Sequence, residues 1–155
     1  MRIVPLCNLK NLTSLFLSGN DITGILPSAL LNITELEILD LSRNAITGSI
    51  PSGFANLGKL ESLDLSSNFL YGSVPPGLGT LSRLEFLDLS DNSLTDSIPV
   101  QFSNLSRLVE LDLSKNTLSG ALPVELRGLR SLMRMRIGDN ALEGPLPEGL
   151  FSSLV

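Results

Sequence analysis

The sequence predicts an α/β solenoid of six stacked 24-residue repeats with a parallel β-sheet along one face. Three observations predict it: an asparagine that returns at a constant step, apolar columns that alternate with polar positions ahead of it, and glycine and proline columns behind it.

The asparagines are Asn20, Asn44, Asn68, Asn92, Asn116 and Asn140, each 24 residues from the last. Five residues ahead of them stand Leu15, Leu39, Leu63, Leu87, Leu111 and Met135, and three ahead stand Leu17, Leu41, Leu65, Leu89, Leu113 and Ile137. Alternation with polar neighbours is the period of a strand with one face buried. Strand cores are therefore expected at residues 14–17, 38–41, 62–65, 86–89, 110–113 and 134–137. Two further apolar columns flank them, Leu12, Leu36, Leu60, Leu84, Leu108 and Leu132 before, and Ile22, Ile46, Leu70, Leu94, Leu118 and Leu142 after. No repeat buries these side chains alone. Stacking gives each its partner, at roughly 1.5–3 kcal/mol per fully buried side chain, and sets equivalent strands parallel.

The asparagine column reads as structural, because the chain turns after each strand and a buried amide satisfies backbone groups that the turn leaves unpaired. Gly24, Gly48, Gly72, Gly120 and Gly144, followed by Pro27, Pro51, Pro75, Pro99, Pro123 and Pro147, punctuate the return path with turn chemistry. Asp96 breaks the glycine column, and aspartate is among the few residues that tolerate a left-handed backbone. No segment sustains a helical apolar period beyond about three turns, so few or no long helices are expected.

Composition narrows the function. The 155 residues are enough for one domain, read as a single repeat segment over 1–155. Sixteen acidic against eleven basic residues give a net charge of −5, which opposes attraction to nucleic acid or to an anionic membrane surface. No apolar run approaches the roughly 20 residues of a membrane span, so no direct membrane contact is expected of this segment. The apolar stretch between Met1 and Cys7 is too short for a signal sequence. Cys7, the lone cysteine, has no partner for an intramolecular disulfide and reads as a small buried hydrophobe, with a reactive thiol or half of a lost bridge as the other readings.

Stretches such as Leu63-Asp64-Leu65-Ser66-Ser67-Asn68-Phe69-Leu70-Tyr71-Gly72-Ser73-Val74-Pro75 resemble the plant-specific class of leucine-rich repeat. Its Asn-x-Leu-x-Gly-x-Ile-Pro signature recurs six times in tolerant form across nearly the whole chain. The chain looks most like the extracellular region of plant leucine-rich-repeat receptor-like serine/threonine protein kinases. That resemblance implies a right-handed superhelix with a concave sheet, a second short strand near the Gly-x-Ile-Pro segment, and irregular or 3₁₀ turns on the convex side. It also implies a place at the extracellular face of the plasma membrane as part of a longer receptor. The cysteine-containing caps, signal peptide, transmembrane helix and kinase domain of that family do not appear. Ile3 occupies the proline column, and the run from Glu148 to Leu154 has one residue too many before its apolar position. The chain is accordingly expected to be a fragment with partial repeats at both ends. Only Leu6 and Leu9 would then cover Leu12, Leu15 and Leu17, and Leu150, Phe151 and Leu154 would lie without a following strand.

Catalytic chemistry is not expected. Without histidine no Ser-His-Asp or Cys-His arrangement exists, a zinc site lacks imidazole and a second cysteine, and no phosphate-binding glycine loop occurs, so no metal or cofactor is assigned. Asp40, Asp64, Asp88 and Asp112 stack at a spacing near that of a retaining glycosidase pair. They recur in four consecutive repeats, however, where an active site is a singular constellation. The outward strand positions suit binding better, with an acidic middle and a basic last repeat. The candidate ligand-binding residues are Phe16, Ile38, Asp40, Asp64, Phe86, Asp88, Glu110, Asp112, Arg134 and Arg136, with Arg134 and Arg136 placed to pair with Glu110 and Asp112 across strands. Glu37, Glu61 and Glu85 extend the acidic column. Sequons at Asn11, Asn32 and Asn104 fit glycosylation in a secretory compartment. The expected partner is a protein or peptide ligand, with a co-receptor beside it. The alternatives are a secreted inhibitor of a microbial cell-wall-degrading enzyme and an intracellular scaffold.

Overall fold

The computed structural model describes residues 9–150, so the expectations for Ile3, Leu6, Cys7, Phe151 and Leu154 lie outside the described residues. Strands alternate between two faces. The odd-numbered ones are β1 (Ser14–Phe16), β3 (Ile38–Asp40), β5 (Ser62–Asp64), β7 (Phe86–Asp88), β9 (Glu110–Asp112) and β11 (Arg134–Arg136). They form one six-stranded parallel sheet, each a residue shorter than the sequence pattern suggests. The even-numbered ones are β2 (Thr23–Ile25), β4 (Ala45–Gly48), β6 (Phe69–Ser73), β8 (Ser93–Thr95), β10 (Ser119–Gly120) and β12 (Ala141–Leu142). These pair as β2-β4-β6-β8 and as β10-β12 on a second, lateral face.

The return path is helical only in 3₁₀ form among the described residues, at Ser28–Asn32, Ser52–Asn56, Pro76–Thr80, Val100–Asn104 and Val124–Gly128. The proline before each turn holds an extended backbone and blocks an earlier start. Each turn sends one side chain inward, Leu30, Phe54, Leu78, Phe102 and Leu126, all fully buried. They meet the strand leucines in one continuous core that runs from Ile22 to Leu150. Leu150 is itself buried, against the expectation that it lies uncovered, because Pro147 accepts its N–H and the intervening turn folds it back under the last repeat. Leu12, Leu15 and Leu17 are only partly buried, as expected of the first repeat.

The asparagines join one repeat to the next. Asn68 donates from Nδ2 to the carbonyls of Leu65 and Ser66 in its own repeat and to Leu41 in the repeat before, while its Oδ1 accepts the N–H of Ile46 at 3.0 Å. Asn44, Asn92, Asn116 and Asn140 repeat that pattern. Asn20 is the exception: it is exposed and, among the described residues, its side chain bonds only to the carbonyls of Leu17 and Ser18. The residue before each asparagine is left-handed, with φ of 68° at Gly19 and 52–55° at Arg43, Ser67, Asp91, Lys115 and Asp139. Asp96 adopts φ 64° where its counterparts are glycine, as the sequence suggests. The lateral ladder is interrupted there, between β8 and β10, although the N–H of Ser119 still reaches the Asp96 carbonyl at 2.8 Å.

Candidate binding surface

The concave sheet brings the candidate residues into a grid. Asp40, Asp64, Asp88 and Asp112 are direct cross-strand partners, as are Phe16 with Asp40, Phe86 with Glu110, and Arg136 with Asp112, while Ile38 lies between Ser14 and Ser62. The aspartates are not free carboxylates. Each Oδ1 accepts the backbone N–H of the serine two residues on, at 2.8–3.0 Å, and in Asp40, Asp64 and Asp112 the serine hydroxyl as well. This closes the end of each strand and occupies one oxygen of each carboxylate, while the second oxygen of Asp112 faces Arg136. The carboxylate ladder thus recurs in four rows, each row using one oxygen as a strand-end acceptor.

Burial between neighbouring side chains pushes the carboxyls of Asp64 and Asp88 above the usual carboxylate range, opposed by the hydrogen bonds from Ser66 and Ser90 and reinforced by the adjacent aspartates. The basic end is wired differently. Arg134 Nη1 lies 2.6 Å from Glu110 Oε2, and Arg136 Nη1 lies 2.5 Å from Glu110 Oε1 and 3.4 Å from Asp112 Oδ2. Hydrogen bonds from Arg136 and Arg134 hold the Glu110 carboxyl below its usual range, and Glu110 in turn raises the Arg136 guanidinium. Both arginines remain largely exposed, so their outer N–H groups point to solvent.

Phe16 is exposed at the first strand, whereas Ile38 and Phe86 are half-buried between rows. Of the flanking glutamates, Glu85 is engaged by Arg107; Glu35, two residues ahead of Glu37, is engaged by Lys59 at 2.6 Å, and the strand pattern announces neither pair because both form on the edge ahead of the sheet. The sequon asparagines Asn11, Asn32 and Asn104 are all exposed, the last two closing 3₁₀ turns on the convex side. The sequence columns miss a second feature, the exposed apolar side chains Ile25, Phe69 and Tyr71 on the lateral sheet. No helix among the described residues is long and apolar enough to cross a membrane.

A family model described as leucine rich repeat matches residues 10–70 and 82–142. The chain superposes on the ectodomain of the plant membrane receptor kinase GASSHO1/SCHENGEN3 from Arabidopsis thaliana, solved in complex with CASPARIAN STRIP INTEGRITY FACTOR 2, with a TM-score of 0.94 and 40% identity over 96% of this chain and 18% of that one. It also superposes on the Arabidopsis receptor kinase HAESA, solved with the peptide hormone IDA and the co-receptor SERK1, with a TM-score of 0.91 and 36% identity over 94% of this chain and 25% of that one. The BIR3–SERK2 complex from Arabidopsis thaliana gives a TM-score of 0.78 and 40% identity over 86% of this chain and 71% of that one. The chain thus spans a quarter or less of the two solved receptor-kinase chains quoted first. No curated protein sequence gives a significant match.

Proposed function

The chain belongs to the leucine-rich-repeat family, and on that premise we propose that it is a stretch of the extracellular recognition region of a plant receptor kinase, binding an extended peptide along its concave sheet. The observation that carries this reading is the concave grid itself. Three stacked carboxylates, Asp40, Asp64 and Asp88, present their second oxygens in rows beside half-buried Phe86 and Ile38, and an arginine pair that engages Glu110 and Asp112 closes the far end. A peptide laid across the strands meets one row per repeat, with basic groups over Asp64 and Asp88 and an acidic group toward Arg134 and Arg136. Regular rows suit an extended ligand, because strand spacing and the pitch of an extended chain are both a few ångströms.

A co-receptor accompanies the peptide in this reading, as it does in the HAESA complex, and the site lies outside the cell. Glycans on Asn11, Asn32 and Asn104 belong to the same reading, since all three are exposed and two sit on the convex side away from the grid. No catalytic step is assigned to the chain, whose aspartates serve as strand-end acceptors. The solved complexes quoted above favour a receptor over a secreted enzyme inhibitor or an intracellular scaffold. The test is a calorimetric titration with extended synthetic peptides of equal length and opposite net charge. The basic peptide should bind more tightly, weaken with salt, and lose roughly tenfold, about 1.4 kcal/mol, with Asp64→Asn/Asp88→Asn. Equal binding of both peptides, untouched by that variant, would remove the concave grid from consideration.

A further inference from the structure

The lateral sheet holds a feature that the ligand reading does not use. Its six strands contain no charged residue, in a chain of net charge −5. Three large apolar side chains stand out on this strip, Ile25 at 70% exposure, Phe69 at 59% and Tyr71 at 58%. The ladder gathers them. Ile25 pairs with Thr47 and Thr47 pairs with Phe69, so the three form one row across β2, β4 and β6. Tyr71 lies two residues beyond Phe69 on the same side of β6. At steps of about 4.8 Å the row reads apolar, hydroxyl, apolar, with Thr47 at its centre.

Such a row is its own complement. A two-fold axis laid along β4 through Thr47 exchanges β2 with β6. It sets Ile25 of each copy over Phe69 and beside Tyr71 of the other, and Thr47 against Thr47. We propose that this strip is the surface through which two copies of the chain pair, lateral sheet on lateral sheet. Charge selects this face. Concave sheet against concave sheet would press the Asp40, Asp64 and Asp88 rows together, whereas the lateral strip lets two net-negative chains meet with no like charges in contact. Area sets the strength. The overlap covers three strands, about 14 Å across, far short of the roughly 800 Å² per partner of a permanent interface, so the pair is weak and reversible. Because the contact is isologous it closes at two copies. Asn32 and Asn104 stand on the convex turns, so glycans there leave the strip open.

Sedimentation velocity of the chain from micromolar to millimolar concentration tests the proposal. The average mass should rise from 16.6 kDa toward twice that value and level off there. Thr47 is exposed and makes only a long 3.4 Å contact with the Gly24 carbonyl, so Thr47→Glu and Thr47→Lys keep the fold, which thermal melts verify. Each variant alone should remain monomeric, since the axis places like charges against each other, while their equimolar mixture should associate at least tenfold more tightly than the unsubstituted chain. Phe69→Ser should abolish association without adding charge. The proposal is overturned if the unsubstituted chain stays monomeric throughout or if its mass grows past two copies, the signature of end-to-end stacking. It is equally overturned if Thr47→Glu pairs as well as the parent or if the mixture pairs no better than its components.

Discussion

The concave and lateral sheets are built from the same repeats yet follow different rules. On the concave side the register step is 24, so Leu39 stacks on Leu15 and Asp64 on Asp40, and every column written in the sequence is a column in space. On the lateral side the step is 22, since Thr23 pairs with Ala45 and Tyr71 with Ser93. The lateral strands are slanted by two residues per repeat, and they bring together positions that the repeat keeps apart. Charge divides the same way: the concave strands hold seven charged residues, from Asp40 to Arg136, and the lateral strands none. The difference teaches that a repeat protein states one surface openly and composes another by shear.

The asparagines from Asn44 to Asn140 hold the two faces in their relative offset, because each donates to carbonyls at the end of the concave strands and accepts a lateral N–H at its oxygen. Breaking that joint has the largest expected effect. Asn68→Leu leaves the buried Ile46 N–H unpaired and takes from the Leu41 carbonyl one of its two donors, the other being Asn44 Nδ2, and should cost about 1–3 kcal/mol, read as a lower urea midpoint. Asn20→Leu, which severs no bond between repeats, should cost far less. Equal losses would mean that the offset is set elsewhere.

A smaller effect is expected where the lateral ladder is interrupted. Asp96→Gly relieves a left-handed backbone at φ 64° and should stabilise the chain by about 0.5–1 kcal/mol in the same assay. The opposite holds for Gly48, where an added Cβ would sit 2.9 Å from Ile25 Cγ2, so Gly48→Ala should destabilise. Should Asp96→Gly prove neutral, the interruption is not a matter of strain.

Titration separates the two ends of the concave sheet. For Asp64 and Asp88 the folded pKa lies above the unfolded value, so their contribution is fully present below the unfolded pKa and is lost as pH rises through the folded one. For Glu110 the folded pKa is depressed, so its contribution is present above the unfolded pKa and is lost as pH falls through the folded one. Acidified from roughly pH 7 to pH 4, the parent chain should therefore gain stability relative to Asp64→Asn/Asp88→Asn and lose it relative to Glu110→Gln. Parallel pH curves for all three would show that these carboxyls sense no difference between the folded and unfolded chains. The smallest effect belongs to the lateral surface, where Tyr71→Ser should shift monomer stability by no more than about 0.5 kcal/mol.

Much of the concave side was legible in the sequence. The strand positions, the buried leucine columns, the asparagine joints and the pairing of Arg134 and Arg136 with Glu110 all follow from a step of 24, because that step is also the spatial register there. What was not legible has two physical causes. The row of Ile25, Thr47 and Phe69 arises from a register that differs from the repeat, so no column contains it. The left-handed turn before each asparagine is hidden because Arg43, Ser67, Asp91, Lys115 and Asp139 adopt it in place of glycine, held there by the bonds of the asparagine that follows. The serine caps on the aspartates lay in plain view as Leu-Asp-Leu-Ser, but only the turn geometry shows that they occupy one oxygen of each carboxylate.

The division of labour between the two sheets is tested most directly by hydrogen–deuterium exchange of the chain with and without the basic synthetic peptide, read segment by segment. The account predicts slower exchange in β5 and β7, Ser62–Asp64 and Phe86–Asp88, with β4 and β6 unchanged. Protection that appeared instead in Phe69–Ser73, with Ser62–Asp64 and Phe86–Asp88 unaltered, would contradict it.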